Sequence, residues 1–382
     1  MISKERMIEH VIDIIKIDSL SRKEKDVALR LQKDMESLGG ECFYDNAGEK
    51  VGGNVGNLIV RIKGSKNDAP PFFLSSHMDT VAPGEGIKPS IKDGVMRSDG
   101  TTILGSDDKS GVSIIVEVLR TLKERDIPHG DIEIAFTICE EIGLFGARYI
   151  DIKKFKSSYG IVLDSSTPSR LVLKCPSSDK LLIKVHGLEA HAGLCPENGI
   201  SAIRVASEAI SIMNLGRLDE ESTANIGTIS GGIATNIVPK LVEIKAEARS
   251  HDNIKLDKQV QHMCSCFYKA SENNKIIVDG KEYSSSVEID IERVYEYMDV
   301  SVDAKITKLV RKAADNLKHK INNHTSGGGC DANYFNNMGI DCVNLGTGMY
   351  ELHTVNEHLI LDEFYRSAEI VLETIKLNAY TN

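Results

Sequence analysis

Residues 71–80 read PFFLSSHMDT, residues 110–125 read SGVSIIVEVLRTLKER and residues 131–138 read DIEIAFTI. The first is an apolar run that ends in polar side chains. The second carries its apolar residues at helical spacing, and the third is a second short strand. Strand, helix, strand in this rhythm predicts an α/β domain with a largely parallel sheet. The flanks agree. NLIVRIKG (57–64) and YGIVLDSS (159–166) read as further strands, and residues 23–38 as a helix closed by Gly39-Gly40. Met7, Ile8, Val11, Ile14 and Ile15 mark a surface helix near the N-terminus.

From about residue 178 the texture changes. KLLIKVHG (180–187) alternates like a strand with one exposed face, and residues 200–214 form an amphipathic helix. Residues 234–251 read as strand, turn, strand, 256–274 as a helix and 285–297 as a strand. The order β-α-β-β-α-β is a two-layer sandwich. The expected fold class is therefore α/β: a mainly parallel-sheet domain made from 1–177 and 298–382, with a two-layer α/β sandwich, 178–297, inserted into it. An insert of this length is of ordinary domain size.

The chain has 382 residues and a net charge of −10. That balance argues against a nucleic-acid partner, whose phosphates call for Lys and Arg. It also argues against an anionic membrane surface. There is no run of 18 apolar residues to span a membrane. The N-terminal stretch is charged throughout and lacks a secretory cleavage pattern. Eight cysteines without a CxxC pair are expected to be reduced thiols in the cytoplasm.

Five short segments carry the chemistry. His77 and Asp79 lie at a strand end, where an imidazole can bind a metal while a carboxylate holds its other N–H. Asp107 and Asp108 sit in a Gly-flanked turn before a helix, where an acid could cap the helix or bridge two ions. Glu140 and Glu141 follow the strand 131–138, and burying both would be costly without a cation or a proton. One could ligate a metal and the other could take a proton from water, or the two could be a solvated pair. Asp164 ends the fourth strand, and His353 stands in NLGTGMYELHT (344–354). Open α/β sheets place their sites at such strand ends. Imidazoles and carboxylates without thiolate suit Zn, Mn or Co. His10, His129, His262, His319 and His324 fall on predicted surface helices or loops and take no role.

These pieces resemble the dinuclear zinc metallopeptidase family that holds peptidase T, carboxypeptidase G, aminoacylase and succinyl-diaminopimelate desuccinylase, with the peptidase T branch the nearest in pattern. The resemblance rests on SSHMDTVAPG (75–84), LGSDDKSGV (104–112), EEIGLFGARYID (140–151), Asp164, HAGLCPENGISA (191–202), EARSHD (247–252) and NLGTGMYELHT (344–354). It implies that His77, Asp107, Glu141, Asp164 and His353 hold two divalent ions, with Asp107 shared. It implies that Asp79 tunes His77 and that Glu140 is the general base for a metal-bridging water. It gives His191, on the inserted lid, the oxyanion, within its own subunit or across a homodimer formed through the lid. It gives Arg249 a substrate carboxylate and Asn236 a substrate contact. The metal expected is Zn, with Co or Mn as alternatives, and the substrate a short peptide.

The Gly-rich stretch Ser326–Asn333 departs from the pattern of peptidase T itself, which has Arg-Gly-Gly-Thr-Asp-Gly there. The expected activity is that of a tripeptide aminopeptidase. The alternatives are a deacylase of N-acyl amino acids, a carboxypeptidase of the same family, and a catalytically silent binding protein.

Overall fold

The computed structural model describes residues 2–381. The chain divides into two compact units, one built from residues up to Cys175 and from Met298 onward, the other from Pro176–Tyr297.

The first unit is organised on a nine-stranded sheet among the described residues. Its middle strands, in spatial order Ile132–Thr137, Phe72–His77, Tyr159–Ser165 and Asp341–Gly346, are parallel to one another. Outside them the pairing turns antiparallel, through Leu58–Ile62 and Glu41–Tyr44 on one side and Arg170–Cys175 on the other, with Asn322–Thr325 added parallel to Arg170–Cys175. All six residues of Phe72–His77 and of Ile132–Thr137 are buried. Near-continuous apolar runs of this kind are what a sheet covered on both faces requires. Phe73 meets Phe155 and Phe335 edge-on, with ring centroids 5.2 and 4.8 Å apart.

The helix predicted over 110–125 begins earlier, at Ser106, and runs to Glu124. Its first turn is irregular: Asp107 and Asp108 depart from helical geometry. The helix Lys4–Ile15 packs against it and buries Met7, Val11, Ile14 and Ile15. His10 lies in that contact, its ring 2.9 Å from Ser113 Oγ and 3.2 Å from Asp34 Oδ2. His10 and His129 are therefore buried, not at the surface as expected. For His10 the polar partners lie on two other helices, which local pattern does not reveal.

The second unit is an antiparallel five-stranded sheet, in the order Gly216–Arg217, Ser222–Gly231, Leu241–Ser250, Ser177–His186, Ser286–Tyr295. Helices Ala202–Ser211 and Asn253–Asn273 pack on it. Leu181, Ile183, Val185, Val242, Ile244 and Ala246 form its core with Val205, Met263 and Phe267. The strand-turn-strand reading of 234–251 needs correction. Only Leu241–Ser250 is a strand there, and its partner is Ser222–Gly231. That partner, STANIGTISG, is mostly exposed and small, so it lacks the apolar alternation that announces a strand. The hairpin Lys275–Val278 with Lys281–Ser284 is also additional to the predicted elements.

Candidate metal centre

Parallel pairing sets His77 beside Thr137, so His77 ends its strand where the segment carrying Glu140 and Glu141 leaves the sheet. Asp164 lies near the end of the next strand, and Asp107 in the irregular turn that opens the helix. His353 arrives on the loop after Met349–Tyr350 with φ +62°. Cys139, Leu144 and Glu351 also take positive φ. Such strained residues persist where the surroundings over-determine them, and they cluster at functional sites.

One carboxylate stands between the two imidazoles. Asp107 Oδ1 is 3.1 Å from His77 Nε2, and Oδ2 is 3.2 Å from His353 Nε2. His353 Nε2 is also 3.0 Å from Glu141 Oε2. Two groups of donor atoms converge, His77 with Asp107 and Glu141, and His77 with Glu140 and Asp164, each within 4.8 Å. A cavity of about 230 Å³ opens onto them, lined also by Ser165, Ser166, Ser326, Gly328, Gly329 and Cys330. Its lining has no Lys or Arg among the described residues. A larger concavity of about 730 Å³ lies on the second unit's sheet, where Lys180 and Lys245 alternate with Glu247 and Asp290. It lacks histidine and any comparable convergence of acids, so the chemistry belongs to the smaller cavity.

The electrostatics have one theme. Burial, followed by the charge of Asp164, pushes the Glu140 carboxyl well up. Burial and Asp107 do the same to Asp164, and they raise Glu141 as well. Burial acts to lower His77, yet the hydrogen bonds to Asp107 and Asp79 outweigh it and hold the ring well above its usual value. His353 is pushed up to about 10, first by Asp107 and then by Glu141. Acids packed this closely need positive charge among them. Glu141 Oε1 is buried with no hydrogen-bond partner. Hard oxygen donors, two imidazoles and an orphaned carboxylate oxygen fit divalent cations.

The supports are as ordered as the cluster. His77 Nδ1 lies 2.9 Å from the Asp79 carbonyl and 3.4 Å from its carboxylate. The ring is thus steered chiefly by the backbone of Asp79. The Asp79 carboxylate instead accepts from the backbone N–H groups of Glu140 (3.0 Å) and Glu141 (3.3 Å) and from Ser21 Oγ. Asp108 accepts from Gly111 N, as a helix cap does, and also from His77 N and Ser76 Oγ. Sequence reasoning missed three supports. Asn344 holds both backbone groups of Asp164. Asp331, its pKa pushed up to about 6 mainly by burial, accepts from Thr137 Oγ1. Glu357 grips the 104–107 turn. Asn344 and Asp331 lie in the stretches 344–354 and 326–333 and Glu357 in none, but in all three cases the backbone or side chain held is far along the chain and nothing local points to it.

The remaining expected residues belong to the second unit. His191 is exposed, and its Nδ1 accepts from the N–H groups of Gly193 and Leu194, both at 3.1 Å. The Asn236 carbonyl accepts from Ala192 N, which sets Asn236 beside His191. Arg249 pairs with Glu247 at 3.1 Å, and its Nε is buried without a hydrogen-bond partner. Arg249 and His191 are not together within the unit. The strand Leu241–Ser250 has the His191 loop at its Leu241 end and Arg249 at the other, roughly 26 Å away along the strand. No helix among the described residues is long and apolar enough to cross a membrane.

A parallel sheet that gathers acids around one buried strand-end imidazole, His77, with a second, exposed imidazole, His353, brought in on a loop, defines a hydrolase of the metallopeptidase class. Residues 73–377 match the model of peptidase family M20/M25/M40, and the chain belongs to that family. It is 39% identical over 377 residues to the uncharacterised protein YqjE of Bacillus subtilis, covering 98% of this chain and 99% of that one. The structure of aminopeptidase PepT from Bacillus cereus matches with a TM-score of 0.88 and 39% identity, over 99% of both chains. A tripeptidase from Staphylococcus aureus matches with a TM-score of 0.93 and 36% identity, over 100% of both.

Proposed function

We propose that the protein is an aminopeptidase that removes the first residue of short peptides, tripeptides foremost, with two divalent ions, zinc in preference to cobalt or manganese. The observation that carries this reading is the placement of Asp107 between His77 and His353, inside a ring of buried acids. The likeness to a PepT aminopeptidase and a tripeptidase along the full chain supports the choice of substrate.

In this reading His77, Asp107, Glu141, Asp164 and His353 would hold the ions, and Asp107, between the two imidazoles, would be the shared ligand. The ions supply polarisation of the scissile carbonyl and a lowered pKa for water. Glu140, buried and raised in pKa, takes the proton of the attacking water and returns it to the departing amine. Asp79 fixes Glu140 through its backbone N–H. In the neutral His191 ring, two N–H donors on Nδ1 leave the proton on Nε2. Nε2–H is then a donor for the oxygen that gathers charge. Arg249 takes the carboxylate at the peptide's far end, and Asn236 assists beside His191.

A tripeptide spans about 10 Å. It cannot touch His191 and Arg249 of one copy across roughly 26 Å of strand. This supports a homodimer through the second unit, in which one copy's His191 and Asn236 serve a substrate held by the other copy's Arg249. All eight cysteines are free thiols, in keeping with work in the cytoplasm.

The test is hydrolysis by the zinc- or cobalt-loaded protein, with a chelated control. The panel holds dipeptides, tripeptides with free and blocked amino termini, and N-acetyl amino acids. Chelator-sensitive cleavage of tripeptides that needs the free amine is the expected result. Cleavage of acyl amino acids alone would replace the proposal with a deacylase, and silence across the panel with ions bound would remove the enzyme reading.

A further inference from the structure

We propose that Glu357 is a positioning residue that sets the shared carboxylate, Asp107, against His353. The inference rests on the reading of the cluster as a metal centre. Glu357 is 1% exposed, and both of its oxygens are used. Oε2 accepts from Leu104 N and Gly105 N, each at 2.9 Å. Oε1 accepts from Ser106 Oγ at 2.7 Å and Asp107 N at 3.0 Å. Four consecutive residues thus turn their donors onto one carboxylate.

The turn needs that grip. Gly105 is left-handed at φ +72°, and Asp107 and Asp108 lie outside helical geometry, although a regular helix follows at once. Gly, Ser and Asp have weak helix preference, so local propensity leaves this turn open to several conformations. A carboxylate ringed by backbone N–H groups, at the positive end of the helix, holds the observed conformation.

Glu357 follows His353 by four residues. One short segment therefore reaches Asp107 twice, with an imidazole at its side chain and a carboxylate at its backbone N–H. Glu357 touches neither the other acids nor His77 among its hydrogen-bond partners, so it acts through Asp107. Outer partners of metal ligands are typically worth 10–100-fold in metal affinity.

The experiment titrates metal-free wild type, E357Q, E357D and E133Q with Zn²⁺ against a chromogenic chelator, and records the visible spectrum of the Co²⁺ forms. Glu133 is the control. It is a comparably buried carboxylate that holds another loop, through Lys156 N, Ser157 N and Ser157 Oγ. Expected are a roughly 10–100-fold weaker zinc affinity and an altered cobalt spectrum in E357Q, a smaller loss in E357D, and wild-type values in E133Q. Wild-type affinity and spectrum in E357Q, with only a lower melting temperature, would overturn the proposal. Should E357Q fail to fold, S106A removes one of the four donors, and wild-type affinity in that variant would overturn it as well. A wild type that takes up no ions would sink the metal-centre reading itself, an outcome distinct from failure of Glu357 alone.

Discussion

Both oxygens of Asp79 are engaged, and Oδ1 also lies 3.4 Å from the His77 imidazole whose pKa it helps to raise. They hold the N–H groups of Glu140 and Glu141, so one side chain fixes the proposed base and a proposed ligand together. Substituting Asp79→Ala should therefore lower kcat by roughly 10–100-fold and also weaken zinc uptake, read by steady-state kinetics and metal analysis of the same sample. E140Q should behave differently. Its kcat should fall by about 10²–10⁴-fold while both ions stay bound, because only the proton acceptor is lost. Retained turnover in E140Q would remove Glu140 from the base role. His77, Asp107, Glu141 and His353 were legible because each sits in a short segment of unusual chemistry at a strand end or tight turn. Asn344, Asp331 and Glu357 were not, because an isolated polar residue carries no sign of the distant backbone it will hold.

At the scale of elements, the reading succeeded where burial imposes a period. Phe72–His77 and Ile132–Thr137 are apolar along their length because both faces are covered, and that pattern survives in the sequence. Ser222–Gly231 is mostly open to solvent and left no such trace. Phe73 joins the strand core to Phe155 and Phe335, so Phe73→Ala should cost about 3–5 kcal/mol in chemical denaturation. The meeting of the helices Lys4–Ile15, Lys25–Ser37 and Ser106–Glu124 has an electrostatic counterpart. Burial acts to raise Asp34, but His10, Arg30 and Arg120 outweigh it and hold its pKa below the usual 3.8. The folded state keeps this carboxylate ionised where the unfolded chain is already protonated. Its contribution is full above 3.8 and drains away as pH falls through the lowered folded value. D34N should lose about 1–2 kcal/mol at neutral pH and show a shallower acid limb in urea unfolding across a pH series.

The whole molecule has two separate cores, and only the first unit carries the proposed ion ligands. Chelation should lower the melting of that unit by calorimetry and leave the melting of Pro176–Tyr297 in place, since a ligand stabilises only what binds it. The proposed homodimer makes a sharper forecast. H191A and R249A should each be nearly inactive alone, and mixing them under subunit exchange should restore activity, because some sites then draw an intact His191 from one copy and an intact Arg249 from the other. No recovery on mixing would place both residues in the service of one copy.

The sheet order carries a consequence for how the chain is made. Tyr159–Ser165 and Arg170–Cys175 are near neighbours in sequence, yet Asp341–Gly346 lies between them in space, and His353 follows later still. A ribosome that stops anywhere within the second unit releases a chain with one imidazole of the pair and with Arg170–Cys175 lacking its sheet partners Met298–Asp299, Asn322–Thr325 and Asp341–Gly346. Such a fragment has open strand edges and no complete ion site, the features that invite aggregation and proteolysis. Ion capture therefore waits for residues 341–353, which both complete the sheet between Tyr159–Ser165 and Arg170–Cys175 and bring His353 to Asp107.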